Sequence, residues 1–247
     1  MRLAALAAAS FVAAVIGAIT GGNSLLTVPV MLFVGMDPRI AVGTNMVSVV
    51  ALTGSAWARF ARERVVPRHP TWGLTLTAIP GSVLGAYVAA NISQHVLRTI
   101  ISVAMLAMAI FIAVQPQFGA ERHTRSRGVQ IIGYVAMAVW AVYGGLFSGG
   151  YTTVLTFCCV AIFGTTLVEA VGLTKIVNLV GSVAACVVFV AERRVDWTIA
   201  AVMSAAALVG GWLGAHLAIR SGTVWVRRIF VLMVAGLGVK LLFDVLH

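Results

Sequence analysis

Apolar residues run along this chain in long blocks, and polar residues fall into the short gaps between them. Eight blocks reach the roughly 18 residues that a membrane-spanning helix requires: Leu3–Thr20, Ile40–Ala58, Trp72–Ala90, Val96–Val114, Gln130–Phe147, Val168–Ala191, Trp197–Ile219 and Trp225–Phe243. Two apolar segments are shorter, Leu25–Val34 and Thr152–Phe163. About ten helical residues cover about 15 Å, half of a hydrocarbon core of about 30 Å. Such a segment suits one arm of a re-entrant hairpin or a broken helix, placed where protein or a water-filled cavity surrounds it.

The pattern occurs twice. A shift of 128 residues lays Gly17, Gly21 and Gly22 on Gly145, Gly149 and Gly150. One further residue of shift lays Ala41-Val42-Gly43 on Ala170-Val171-Gly172, Glu63-Arg64 on Glu192-Arg193, and Gly81, Leu84, Gly85 and Ala86 on Gly210, Leu213, Gly214 and Ala215. One register across so many glycines and charges indicates duplication. Each half reads as a helix, a Gly-Gly break, a short half-helix, a sharp connection (Asp37-Pro38 or Gly164-Thr165-Thr166) and three long helices. The predicted fold is an all-α integral membrane protein of two homologous repeats, 1–114 and 129–247, joined by a polar linker at 115–128. Leu3–Thr20 resembles a signal peptide, but its partner in the register, Gln130–Phe147, lies mid-chain, so it reads as a retained helix.

Composition agrees: of 247 residues 61% are hydrophobic and 10% charged, against about half and a quarter in soluble domains. The net charge of +10 lies in loops, where the positive-inside rule expects it. No basic face of any length exists, so nucleic acid is not an expected partner. The basic totals leave two layouts open. An odd number of crossings per half with the N-terminus outside puts ten Lys and Arg inside and six outside; four crossings per half with the N-terminus inside gives eleven and five. Their distribution favours the first. The loop after the third segment is basic in half one and nearly balanced in half two (Glu192–Asp196), while the next loop is basic only in half two (Arg220–Arg228). Inverted repeats predict such a reversal. Cys158, Cys159 and Cys186 lie in apolar runs without metal-ligand spacing and read as small buried hydrophobes.

Candidate chemistry gathers at the breaks. Gly21-Gly22-Asn23-Ser24 and Ser148-Gly149-Gly150-Tyr151-Thr152 each join small residues to hydroxyls, and the first adds the amide of Asn23. Glycine permits the bend, and Asn23, Ser24 or Thr152 is placed to cap the next helix. A helix N-terminus exposed there attracts an anion; tight packing of small residues is the competing explanation. Past the sharp connections, Thr44, Asn45 and Ser48 share one helix side, as do Thr174, Lys175 and Asn178. Lys175 is the only cation well inside an apolar run. An ionisable residue there points to function, with pairing to Glu169 or snorkelling to the surface as structural alternatives. His216 reads first as a hydrogen-bonded structural histidine, with proton relay as the second reading. No catalytic set, metal cluster or phosphate-binding loop appears, so neither an enzyme nor a cofactor is expected.

Gly17–Gly22, Val28-Pro29, Gly35-Met36-Asp37-Pro38 and Ala41-Val42-Gly43-Thr44, followed in the second half by Ala170-Val171-Gly172-Leu173-Thr174-Lys175, Val195-Asp196-Trp197 and Gly210–Ala215, resemble the sulfite exporter TauE/SafE family, also called the toluene sulfonate uptake permeases. The resemblance covers nearly the whole chain. The sequence departs from it in having Asn23-Ser24 where the first motif is richer in glycine. It implies a secondary carrier of the bacterial inner membrane that moves sulfite, sulfoacetate or other organosulfonates. A proton- or gradient-coupled anion carrier working by alternating access around a midplane site is the first expectation. An uncoupled anion channel of the same build is the second; saturable counterflow separates them. The expected partners are a small anionic sulfur compound, membrane lipid and a coupling proton.

Overall fold

The computed structural model describes residues 2–64, 66–114 and 126–220, with Val239 and Phe243. Among them are nine α-helices: α1 (Arg2–Thr20), α2 (Ser24–Phe33), α3 (Pro38–Arg62), α4 (Arg68–Asn91), α5 (Gln94–Val114), α6 (Arg127–Leu146), α7 (Tyr151–Phe163), α8 (Leu167–Ala191) and α9 (Trp197–Arg220). Seven of these are long and apolar enough to cross a membrane; α2 and α7 are the short ones. Apart from Val239 and Phe243, the predicted helix Trp225–Phe243 lies outside the described residues, and so does most of the linker.

Local chemistry sets several helix ends. Pro38 opens α3 at the position where its missing N–H costs nothing, and the Asp37 side chain accepts from Arg39 N at 2.8 Å. The carboxyl of Asp37 sits below its usual range: partial burial raises it, but the hydrogen bonds and charge of Arg39 outweigh that. At α8, Thr166 and Glu169 form a capping box, each side chain bonding the other's backbone N–H. Gly164, left-handed at φ 66°, ends α7.

Side-chain contacts fix the direction of the short helices. Gly133 of α6 lies against Ile162 and Phe163 of α7, while Gly144 lies against Tyr151. Near in sequence is near in space at the turn, and far pairs with far, so α6 and α7 are an antiparallel hairpin. The α1–α2 pair is built alike: Gly17 packs on Asn23 at the tip, and Arg2 Nη2 donates to Val34 O at 2.6 Å near the open end. The short segments are therefore returning arms rather than the collinear second halves of broken helices.

The long helices interlock across the chain. Ser10 donates to Met203 O, and Gly214 packs on Val15 and Ala18, so α1 and α9 run parallel. Gly73 meets Tyr134 and Gly85 meets Val142, so α4 and α6 run parallel too. Leu52 and Ser55 pack on Gly211, with Arg59 beside His216, giving a parallel α3–α9 pair. By contrast α3 and α8 are antiparallel, since Phe189 touches Gly43, Leu179 faces Gly54, and Phe60 touches Gly172. Small residues let these backbones approach, which is how membrane helices associate when lipid is as apolar as their side chains. Large apolar side chains such as Leu76, Ile132 and Val187 are about two-thirds exposed on the outside, as a lipid-facing surface requires.

Candidate functional site

The two hairpin tips meet in the interior. Gly21 (φ 85°) turns the chain at the end of α1, and Ser148 (φ 64°) with Gly150 (φ 79°) turns it at the end of α6. The Thr152 hydroxyl donates to Gly21 O at 2.8 Å, and the Thr153 hydroxyl to Thr20 O at 2.6 Å. A helix C-terminus leaves carbonyls without intrahelical partners, and α7 supplies two of the missing donors to the end of α1. Tyr143 and Trp140 brace the second tip from α6, through the Tyr143 hydroxyl to Gly149 O at 2.5 Å and the Trp140 Nε1 to Tyr151 O at 3.3 Å.

Between the tips, α3 and α8 close a cavity of about 10 Å³ lined by Gly17, Gly21, Asn23, Ser24, Val49, Leu52, Thr53, Ser148, Thr152, Lys175 and Asn178. That is about the room one water needs. Lys175 is 1% exposed. Its Nζ donates to Gly17 O at 3.2 Å, its one hydrogen-bond partner among the described residues. An ammonium has three donors, so two remain for the cavity. Both side-chain atoms of Asn23 are buried without a hydrogen-bond partner among the described residues. Two polar groups thus face one cavity with hydrogen-bonding capacity unused, and no carboxylate lines it. Buried polar groups are ordinarily satisfied, so the unused capacity makes this cavity the candidate site.

Of the residues expected at the site, Gly21, Asn23, Ser24, Ser148, Thr152, Lys175 and Asn178 line the cavity. The others do not. Asn45 sits behind it, donating to Ser24 Oγ at 2.7 Å and accepting from Thr27 Oγ1 at 2.6 Å. The Thr44 hydroxyl accepts from Asp196 N, pinning the α8–α9 connection. Ser48 pairs with Ser10, and Thr174 donates to Val171 O. Gly22, Gly149 and Gly150 serve the turns, and the Tyr151 ring packs into the apolar cluster of α4, α6, α7 and α8. The expected caps also fail: Asn23 makes no cap hydrogen bond at α2, and left-handed Gly150 precedes α7 while Thr152 reaches across to Gly21.

Neither structural alternative for Lys175 holds. It is too deep to snorkel, and Glu169 closes its capping box at the start of α8. His216 takes its structural reading, with Nδ1 3.2 Å from Arg59 Nη2 at the ends of α3 and α9. Gly17, Val49, Leu52 and Thr53 were not expected at the cavity. The repeat register carries a signal for two of them: it aligns Val49 with Asn178, and Thr53 with Ser182, whose hydroxyl donates to Asn178 at 3.3 Å. Among the described residues no cluster of three or more His, Cys, Asp or Glu can hold a metal ion.

No solved structure matches the chain. A "Probable membrane transporter protein" of Haemophilus influenzae is 28% identical over 242 residues, covering 98% of this chain and 95% of that protein. "Probable membrane transporter protein ORF9" of a Sinorhizobium species is 28% identical over 246 residues, covering 99% and 94%. "Probable membrane transporter protein YfcA" of Escherichia coli is 26% identical over 236 residues, covering 95% and 87%. The profile of the family described as "Sulfite exporter TauE/SafE" matches residues 6–241. With apolar helices suited to crossing a membrane and a match over nearly its whole length, the chain belongs to the sulfite exporter TauE/SafE family of membrane transporters.

Proposed function

We propose that the protein is a secondary carrier of a small sulfur-containing anion, sulfite or an organosulfonate, which binds between the two hairpin tips. The observation that carries this reading is the buried ammonium of Lys175 beside the unpartnered amide of Asn23, in a cavity that no carboxylate lines. The anion takes the two free N–H groups of Lys175, with hydroxyls of Ser24, Thr53 and Thr152 within the same lining. The small volume supports a closed carrier conformation over an open pore. A thermal-shift screen of the purified protein against sulfite, sulfate, thiosulfate and small sulfonates tests it. A true ligand at a hundredfold excess over its Kd stabilises the folded state by about 2.7 kcal/mol. No shift with any of these anions refutes the reading.

The two halves are inverted repeats in this proposal, related by a pseudo-two-fold axis in the membrane plane. Support comes from helix direction. The antiparallel pair α3 and α8 are matched by the register, which also carries α1 onto α6 and α4 onto α9, so the parallel pair α1–α9 becomes the parallel pair α6–α4. Each hairpin returns toward its own start, leaving three crossings for the rest of a half. The layout with ten basic residues inside and six outside follows. Cysteines placed singly at Glu63 and Arg193, in a background with Cys158, Cys159 and Cys186 replaced by alanine, are expected to react with impermeant maleimide from opposite sides of the membrane. Labelling from the same side overturns the inversion.

A further inference from the structure

We propose that Lys175 is also the carrier of the coupling proton: its ammonium crosses with the anion and releases its proton once the anion has left. This rests on the anion site proposed above and assigns its coupling ion. Consider the charge in the cavity through a transport cycle. With a monoanion bound, the ammonium and its ligand sum to zero. When the anion leaves, the ammonium keeps one carbonyl partner, Gly17 O, among the described residues. Nothing in the lining offers a compensating negative charge. A charge buried without a partner is removed by giving up its proton rather than held. The empty carrier therefore returns with a neutral amine, and the proton passes from Nζ to water on the discharge side. On the loading side Nζ takes a proton from water as the next anion binds. Each turnover moves one anion and one proton, with no oxidant or covalent step.

Among the described residues, the surrounding elements contribute no second group for this task; on α4, which packs on α8, Tyr87 is exposed on the outside. On α8, Glu169 is held in the capping box. On α3, Arg39 pairs with Asp37 at one end and Arg59 with Glu63 at the other, where Arg62 also lies. On α9, His216 contacts Arg59 and Arg220 closes the last turn. On α1 the titratable residue is Arg2 at the start, and α2 has none. On α6 and α7, the Tyr143 hydroxyl bonds Gly149 O, while Tyr151 and Cys159 are buried in the apolar cluster with Cys158 packed against it. None of these groups lines the cavity.

Reconstituted full-length protein tests the assignment, with methanesulfonate, a permanent monoanion, and sulfoacetate, a dianion, as probes. In the wild type, methanesulfonate uptake is expected to carry one proton, to follow an imposed pH gradient and to ignore an imposed membrane potential. Sulfoacetate is expected to move one net negative charge. An arginine stays charged at any working pH. Lys175→Arg changes the binding residue itself, so its anion exchange is the reference for the variant, and net uptake should fall further than exchange does. Net uptake, which needs the empty carrier to return, should fall about 100-fold beyond any loss of exchange, the penalty for carrying a bare charge through the membrane. Wild-type methanesulfonate uptake that carries current without protons overturns the proposal, as does net uptake by Lys175→Arg that falls no further than its exchange. Where arginine is not accommodated, the wild-type proton-to-anion ratio decides alone. Loss of exchange of both probes in the wild type would instead remove the anion site, and this proposal with it.

Discussion

Lys175→Met is expected to give a protein that folds, melts at or above the wild-type temperature, and loses sulfonate binding by about 100-fold or more, since truncating one partner of a buried charge pair costs about 2–5 kcal/mol. The two halves of this expectation come from different terms. Removing the ammonium deletes one hydrogen bond, to Gly17 O, which keeps the bond it accepts from Gly21 N at 2.8 Å. A net hydrogen bond contributes about 1 kcal/mol. Against that stands the cost of burying a lysine that no carboxylate compensates, whether as a bare charge or through the proton it gives up to avoid one, and removing that cost is favourable in an apolar interior. Methionine is similar in length and flexible, so it fills the space without a large cavity. Had Lys175 been paired with Glu169, the variant would strand a buried carboxylate and be rescued by Glu169→Gln. With Glu169 in the capping box, a box glutamine can also close, that second change should not raise the stability of Lys175→Met. Melting temperature and transport measured together on both variants decide. A stable Lys175→Met protein that still carries sulfonate removes the lysine from the site.

Much of the fold is legible in hydropathy alone, and the exceptions have physical causes. The seven long helices among the described residues lie where the apolar blocks predict them, but α3 runs on from Ala58 to Arg62 and α4 begins at Arg68 rather than Trp72. An apolar block stops at the first charges, whereas a helix continues until its backbone is capped, with Arg59 and Arg62 favoured in the last turn. The hairpins are a different case. Segment length shows that α2 and α7 are too short to cross, yet hydropathy carries no direction; only pairs such as Gly133 with Phe163 reveal the return.

The site divides along similar lines. A lone lysine in an apolar run stands out, and Lys175 lines the cavity. Hydroxyls and amides in membrane helices have two uses that look alike in a sequence. Asn45 and Thr44 share a side of α3 with Ser48, but Asn45 staples α2 and Thr44 holds the start of α9. Leu52 carries no mark at all, and its place in the lining follows from which way α3 faces; Val49 is marked only by its register partner Asn178.

Gly21→Ala should be the most damaging single-methyl change at the tips, lowering stability by about 2–5 kcal/mol and abolishing transport although Lys175 is intact. Two costs combine at this position. Its φ of 85° is left-handed, which costs a residue with a Cβ about 1–2 kcal/mol. There is also no room: the new Cβ would stand 2.7 Å from Thr153 N and against the Thr152 side chain. Overpacking of that kind costs about 1–3 kcal/mol. To relieve it, α7 must back away, breaking the Thr152–Gly21 and Thr153–Thr20 hydrogen bonds that hold the tips together. Gly35→Ala provides the control. Gly35 has the same kind of backbone, φ 84°, but nothing lies within 4 Å of a Cβ there. It should carry the strain alone, about 1–2 kcal/mol, and leave transport intact. The melting temperatures of the two variants and their methanesulfonate exchange form the measurement. If Gly21→Ala is no less stable than Gly35→Ala and exchanges at the wild-type rate, contact between the hairpin tips is not what forms the site.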